Sequence, residues 1–389
     1  MKKQSLLEIF LASLKLGLTS FGGPVAHLGY FKDEYIDKRK WLDDRTYADV
    51  IALCQFLPGP ASSQVGMAIG MLRGGLAGGI LSWIGFTLPS VLVLVLFAFV
   101  YQSYTLGDAT WISSLKIVAV AVVAHALIGL GKKLTPDRPR LAIALTSALA
   151  MLLFASAWLQ IVVIIVAGII GYILFVGKEQ EANIQFHVPF SKKHGIFALI
   201  LFTILIIGLP IGALLLNSQS LNLMDTFYRV GSLVFGGGHV VLPLLEREVV
   251  PDLITSGEFL AGYGMAQAVP GPLFTFASYL GAMINGIPGA ILATIAIFLP
   301  SFLLVIGTLP FLQELRTRPR FQGILTGVNA SVVGILLAAF YDPVFTSSIF
   351  SGADFALALI LFFLLNVWKL PAWFIVILGI VFGEVLTYV

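Results

Sequence analysis

The chain has 389 residues, 58% of them hydrophobic and only 11% charged, with a mean hydropathy of +0.98. A water-soluble domain carries about 25% charged residues, so most of this surface must face lipid or other helices, and no polar stretch is long enough to form a soluble domain. The 23 basic and 20 acidic residues leave a net charge of +3, too small to argue for nucleic acid, and the single cysteine, Cys54, excludes an internal disulfide or a thiolate metal cluster.

Met1-Lys2-Lys3 followed by Leu6 to Leu18 has the outline of a signal peptide. Glu8 and Lys15 interrupt it and no small-residue cleavage site follows, so the segment is read as retained. Apolar segments of spanning character then fall at 5–30, 46–73, 76–103, 109–131, 139–156 and 158–177, with a seventh at 196–217. Six more follow at 222–246, 257–284, 288–314, 321–344, 354–368 and 371–389. The longest polar interval is 178–195. The expected organisation is an all-α polytopic membrane protein: repeat 1–177, a linker and connecting span over 178–217, and repeat 218–389.

Lys and Arg concentrate on the cytoplasmic side of membrane proteins. Lys132, Lys133, Arg138 and Arg140 mark one such loop, Lys178, Lys192 and Lys193 the linker, Arg316, Arg318 and Arg320 another, and Lys369 a fourth. Segment 109–131 then runs outside to inside and its partner 321–344 inside to outside, so the repeats are inverted. The interval 32–45 resists, because a spanning first segment would put Lys32, Lys38, Arg39, Lys40 and Arg45 outside. Re-entrant hairpins over 5–45 and 46–73 would keep them inside, and both readings stay open.

The halves repeat in order. Lys15-Leu16-Gly17 and Phe21-Gly22-Gly23-Pro24 answer Arg229-Val230-Gly231 and Phe235-Gly236-Gly237-Gly238 at an offset of 214, which Glu34 and Glu248 share. Gln55-Phe56-Leu57-Pro58-Gly59-Pro60 answers Gln267-Ala268-Val269-Pro270-Gly271-Pro272 at 212, with Met71 and Gly74 answering Met283 and Gly286. Leu88-Pro89-Ser90 answers Leu299-Pro300-Ser301 at 211. Pro-Gly-Pro inside an apolar segment must break a helix. Broken backbone at membrane depth is tolerated only where protein buries it or it lines a cavity. Paired breaks in inverted halves point to a transport site, against the plainer reading of packing kinks.

A helix restarting after a break presents free N–H groups and its positive dipole end, which suits an anion. The restarts carry Ala61, Ser62, Ser63 and Gln64 in one half, and Leu273, Phe274, Thr275 and Ser278 in the other. Lys15 and Arg229 are repeat-equivalent cations within apolar segments and candidates for a dianion, with comparable roles expected. Snorkelling, or an ion pair of Arg229 with Asp225 four residues earlier, is the rival. His27 and His239 follow the Gly-Gly breaks and could relay protons or be core histidines. Glu34 and Glu248 read more simply as interfacial carboxylates than as coupling groups. No His, Cys and carboxylate cluster has metal-ligand spacing, and no phosphate-loop pattern occurs, so neither metal nor cofactor is expected.

These duplicated segments, with Gly22, Gly23, His27, Gln55, Pro58 to Pro60, Gly236, Gly237, Gly238, His239, Gln267 and Pro270 to Pro272, resemble the long, two-domain type of the chromate ion transporter family. That resemblance implies a bacterial inner-membrane protein exporting chromate, with sulfate as a competing analogue. The expected substrate site takes those residues together with Lys15, Ser62, Ser63, Gln64, Arg229 and Thr275. An uptake carrier for sulfate or a similar anion is the alternative. An intramembrane lipid-modifying enzyme is the more distant one, since no nucleophile–base pair stands out. The partners expected are the oxyanion and the bilayer, with a homodimer left open and nucleic acid excluded.

Overall fold

The computed structural model describes residues 5–20, 23–43, 46–47, 50–51, 53–54, 57–103, 110–154, 157–175, 190–216, 218–234, 241–311, 319–346 and 348–386. Among them the secondary structure is helical throughout. In chain order the helices are α1 (Leu6–Thr19), α2 (Gly23–Phe31, continued by wider π turns over Lys32–Lys38) and α3 (Ala61–Ser103). There follow α4 (Thr110–Leu134), α5 (Arg138–Leu153), α6 (Ala157–Leu174) and α7 (Lys192–Leu216). The second half gives α8 (Gln219–Leu233), α9 (Val241–Val249), α10 (Ser256–Ala268), α11 (Phe276–Thr308), α12 (Pro319–Ala339), α13 (Gly352–Asn366) and α14 (Ala372–Leu386). Ala61–Ser103, Lys192–Leu216 and Leu273–Phe311 are long and apolar enough to cross a membrane. The chain is a multi-pass, all-α membrane protein.

The first segment of each half is a hairpin of helices. α1 has 14 residues, about 21 Å at 1.5 Å per residue, short of a hydrocarbon core of about 30 Å. Ser5 caps its start by accepting from the Glu8 N–H at 3.1 Å. Beyond Ser20 the chain returns as α2. Ser13 meets Tyr35 (Oγ to Oη 2.9 Å), Lys15 meets Glu34, and Arg39 reaches back to Glu8 at 3.2 Å. Residues 6 and 39 therefore lie at the same end. α8 and α9 repeat this fold, with Arg229 against Glu248. The sequence reading of a single apolar stretch at 5–30, and again at 222–246, thus resolves into two short antiparallel legs.

α3 and α11 each fold back on themselves at a glycine. Gly75 (φ 65°, ψ −158°) and Gly286 (φ 57°, ψ −150°) hold left-handed backbone that other residues rarely adopt. In α3, 61–74 and 76–103 then run antiparallel, packed so closely that a side chain on Gly70 would overlap the Gly78 carbonyl. Ser82 Oγ donates to Gly66 O at 2.8 Å across the same seam. Gly281 and Gly289 repeat the contact in α11. The equivalence of Gly74 with Gly286 read from the sequence is corrected here: the turn glycine is Gly75, so the offset falls to 211 before the Leu-Pro-Ser motif. Two adjacent glycines made the sequence alignment ambiguous; the positive φ decides it.

Tyr279 Oη donates to Glu258 O at 2.9 Å and Phe259 stacks edge-on to Phe276. α10 and 276–285 are therefore antiparallel, with Pro270-Gly271-Pro272 at their tip. Between halves, 76–103 runs alongside 276–285, since Phe97 stacks on Tyr279 and Gln102 Nε2 donates to Met283 O at 3.0 Å. It is thus antiparallel to 287–308, its own repeat equivalent, where Trp83 packs against Phe298 and Phe302. Outside this centre the halves exchange helices. α12 lies against α5 and α6, through Gly323 and Gly327 on Gly171 and Ala167, and α4 lies against α13 and α14, through Val118 on Gly379. α7 packs along one edge on α8 and α11.

Candidate functional site

The hairpin tips of opposite halves are joined by two reciprocal hydrogen bonds. The Gly59 N–H donates to Val234 O at 2.6 Å and the Gly271 N–H to Ser20 O at 2.9 Å. Ser20 and Val234 are repeat equivalents, each ending the first leg of its hairpin just before the Phe-Gly-Gly segment. The Pro-Gly-Pro break of each half thus caps the other half's tip. Proline on both sides forces the turn, and glycine supplies the left-handed φ, 115° at Gly59 and 105° at Gly271. A side chain at Gly59 would overlap Ser301 Oγ, and one at Gly271 would come within 3.0 Å of Ser90 Oγ. Ser90 and Ser301 close the duplicated Leu-Pro-Ser motif, so each break rests on the other half's long helix.

The restarts differ between halves. Gln64 N donates to Pro60 O as the first bond of α3, leaving the N–H groups of Ala61, Ser62 and Ser63 outside the helical ladder. Gln64 Nε2 donates to Pro58 O at 2.6 Å and lies 3.3 Å from Ser301 Oγ, bracing the turn. Ser62 Oγ sits 3.2 Å from His27 Nδ1, and the buried His27 ring is edge-on to Phe86. In the second half a single 3-10 turn, Leu273–Thr275, follows Pro272. Thr275 Oγ1 donates to Pro272 O and Ser278 Oγ to Thr275 O, both at 2.7 Å, which spends those hydroxyls locally.

Around the tips lie buried polar atoms with no hydrogen-bond partner among the described residues: Ser20 Oγ, Ser63 Oγ, Gln64 Oε1, Thr87 Oγ1, Trp83 Nε1 and Gln267 Nε2. Ser20 ends α1 at one tip; Ser63 and Gln64 begin the restart; Gln267 precedes the second break. Thr87 and Trp83 stand on 76–103 within a turn or two of Ser90, the neighbour of Gly271, and line the apolar cleft against Ile287 and Ile291 of the other half. An unpaired buried polar group costs about 1–3 kcal/mol, and native proteins hold few. A collection at one place is the mark of a site for a polar ligand. Five of the six can donate, and all five are neutral.

The two cations are committed elsewhere. Lys15 Nζ donates to Glu34 Oε2 at 2.7 Å, and Arg39 holds the other oxygen at 2.8 Å. The Lys15 side chain is 53% exposed, whereas that of Glu34 is 6%. Arg229 binds both oxygens of Glu248 and donates to Asp225 at 2.9 Å. The sequence reading of Glu34 and Glu248 as interfacial carboxylates gives way to repeat-equivalent ion pairs that tie the two legs of each hairpin. The Asp225 pairing foreseen as a rival also forms. Gly23 opens α2; Gly22, Gln55, Gly236, Gly237 and His239 lie outside the described residues. No group of three metal-binding side chains occurs among the described residues. Reading the sequence missed Ser20, Thr87 and Trp83. The repeated Leu-Pro-Ser motif beside Thr87 was the available signal, and nothing flagged Ser20 or Trp83.

The chain is 28% identical over 340 residues to an uncharacterized transporter of Methanocaldococcus jannaschii, covering 86% of this chain and 83% of that protein. It is 27% identical over 339 residues to a chromate transport protein of Pseudomonas aeruginosa (86% and 80% covered). It is 28% identical over 343 residues to a probable chromate transport protein of Synechococcus elongatus (86% and 84% covered). No solved structure matches. The family model for chromate transporters matches residues 7–172 and again 221–384, so the chain belongs to the chromate transporter family.

Proposed function

We propose that the protein is a secondary transporter that exports chromate across the bacterial inner membrane and confers chromate resistance, with the substrate bound where the four hairpin tips meet. The observation that carries this reading is the cluster of buried donors, unpartnered among the described residues, around two reciprocally bonded Pro-Gly-Pro tips. Neutral hydroxyl, amide and indole donors, with the free N–H groups of Ala61 to Ser63, replace water around a tetrahedral oxyanion. The site takes in Pro58, Gly59, Pro60, Ser62, Ser63, Gln64, His27, Gln267, Pro270, Gly271, Pro272 and Thr275, with Ser20, Thr87 and Trp83. Gly22, Gly23, Gln55, Gly236, Gly237 and His239 join it on the strength of the repeat. Lys15 and Arg229 lie five residues from their tips, each matched by a carboxylate on its own hairpin. The group reads as a binding site, and the protein as a carrier and not an enzyme.

The membrane potential or a proton gradient drives export. An inside-negative potential is worth about 2.3 kcal/mol per charge per 100 mV, so a departing dianion gains roughly 4.6 kcal/mol, about a thousandfold in concentration. Repeats 1–177 and 218–389 are inverted about the connecting span in 178–217, a reading supported by the antiparallel run of 76–103 against 287–308. Re-entrant hairpins, supported by residues 6 and 39 lying at one end, are the reading that keeps Lys32, Lys38, Arg39, Lys40 and Arg45 cytoplasmic. Sulfate competes as an isosteric dianion, and a homodimer is compatible with the apolar faces left exposed. Proteoliposomes under an imposed potential test the function. Chromate should move outward from the negative side, sulfate should compete, and no lipid product should form. Chromate flux that ignores the potential refutes the energetics; sulfate accumulated against the potential favours the uptake reading.

A further inference from the structure

Glu246 is a buried carboxyl for which neither the anion site nor the ion pairs give a use. Its residue is 5% exposed, and its Oε1 is sealed from solvent with no hydrogen-bond partner among the described residues. It sits on α9, the return leg of the second hairpin, two residues before the Glu248 that binds Arg229. An unpaired carboxylate in such surroundings is expensive, and a group there is held neutral or paired. The elements packed on α9 are α6, α8, α10 and α12, and the π-turn extension Phe340–Phe345 continues α12 and packs on it and on α4.

The charged groups that act on Glu246 are Asp342, within the α12 extension, and Arg247 on its own helix. On α8, Arg229 and Asp225 are engaged with each other and with Glu248. On α10, Glu258 is engaged in the capping box with Thr255, and the other titratable side chain is Tyr263. On α6 the one titratable residue is Tyr172. No cation is bonded to Glu246 among the described residues. The first half has nothing comparable: the position 214 residues earlier is Lys32, which lies exposed and pairs with Asp37 at 3.7 Å. The repeat that duplicates the tips, the turn glycines and the ion pairs breaks here, so Glu246 gives the second hairpin a property its partner lacks.

We propose that Glu246 is a proton-binding site coupled to anion movement: it takes up one proton while buried and releases it to water when the hairpin opens. This rests on the transporter reading and deepens it, adding a proton to the cycle at a named carboxyl. No covalent step is involved.

The test uses the full-length protein in proteoliposomes with a trapped pH dye and chromate as the driven solute, scoring protons moved per chromate. The parent should move protons in a fixed ratio to chromate, and a protonophore should abolish the dye signal. Glu246→Gln, which keeps the shape and removes titration, should lower that ratio at least tenfold and flatten the pH dependence of transport. Chromate-for-chromate exchange, which needs no net proton, should stay measurable. Where Glu246→Gln does not fold, Asp342→Asn decides. Removing the like charge favours ionised Glu246, so the pH midpoint of transport should fall by about half a unit. An unchanged proton-to-chromate ratio in Glu246→Gln, or an unmoved midpoint in Asp342→Asn, overturns the proposal. A parent that carries chromate without protons overturns it alone; a parent that carries no chromate overturns the transporter reading beneath it.

Discussion

The two ion pairs occupy equivalent places in the repeat but should not be equivalent in energy. In the second hairpin the Arg229, Glu248 and Asp225 side chains are 22%, 18% and 13% exposed. Arg229→Gln leaves two carboxylates there without their cation. Breaking a fully buried pair costs about 3–5 kcal/mol; discounting for partial exposure brings this to roughly 1–3 kcal/mol. In the first hairpin Lys15 is half-exposed, and Glu34 keeps Arg39 when Lys15 is removed. Lys15→Gln should therefore cost about 0.2–1 kcal/mol, the range of an exposed pair.

A double-mutant cycle separates these cases, because it isolates the coupling between partners. Arg229→Gln, Glu248→Gln and the double mutant should give a coupling of about 1–3 kcal/mol, while Lys15→Gln, Glu34→Gln and their double should give no more than about 1 kcal/mol. The readout is the midpoint of heat-induced unfolding in detergent. One kcal/mol is worth about 2–4 °C in a domain of 150–250 residues, so Arg229→Gln should fall below Lys15→Gln by a readable margin. Equal losses, or a larger coupling for Lys15 and Glu34, would refute the reasoning from exposure and shared partners. Equal losses of chromate affinity with unequal stability would return both cations to a common role at the anion.

The remaining predictions concern the tips. Thr87→Val and Ser63→Ala remove hydroxyls with no partner among the described residues, so stability should change by less than about 1 kcal/mol while chromate affinity falls about tenfold; unchanged affinity in both would remove them from the site. Gly59→Ala should cost about 1–3 kcal/mol for its positive φ, plus the clash with Ser301 and Gln64. At Gly271→Ala the nearest atoms, Ser90 Oγ and the Phe86 carbonyl, stand at 3.0 and 3.3 Å, so the loss should be milder, an order that thermal unfolding checks. Pro60→Ala and Pro272→Ala let helix propagate through the breaks; transport should fall with insertion intact, most in the double mutant, and parental chromate binding in both would make the breaks packing kinks.

Helix content, the repeat and the breaks were legible because each leaves a local mark: an apolar run, a Phe-Gly-Gly, a Pro-Gly-Pro. The hairpins were legible only as one of two open readings, because a helix that turns back after 14 residues and one that continues have the same apolar composition. What gave them away in the structure are contacts such as Ser13 with Tyr35, set by where two legs lie and not by residue type. The basic cluster at 32–45 did carry the signal, as a conflict with orientation that only re-entry removes. Lys15 with Glu34 and Arg229 with Glu248 share a spacing of 19 residues, visible in the sequence as a common offset. Reading that offset as pairing needed the knowledge that 19 residues bring the chain back beside itself. Ser20 and Thr87 were unreadable for a simpler reason: each gains its meaning from a residue in the other half.

That crossing also bears on how a dianion can be both bound and released. A site built on unpaired arginine or lysine would hold a dianion strongly and give it up slowly, and transport requires affinity weak enough for departure. Here Lys15 and Arg229 are already matched by carboxylates on their own hairpins, so little uncompensated positive charge faces the tips. On the proposed reading attraction falls to neutral donors and helix ends, whose individual contributions are small and whose arrangement depends on two backbone bonds between halves. A hydrogen bond contributes about 0.5–1.5 kcal/mol net. The pair Gly59–Val234 and Gly271–Ser20 is therefore strong enough to hold the tips in register and weak enough to break in a transport cycle. Because each bond joins the break of one half to the tip of the other, neither hairpin can withdraw without disturbing donors contributed by both.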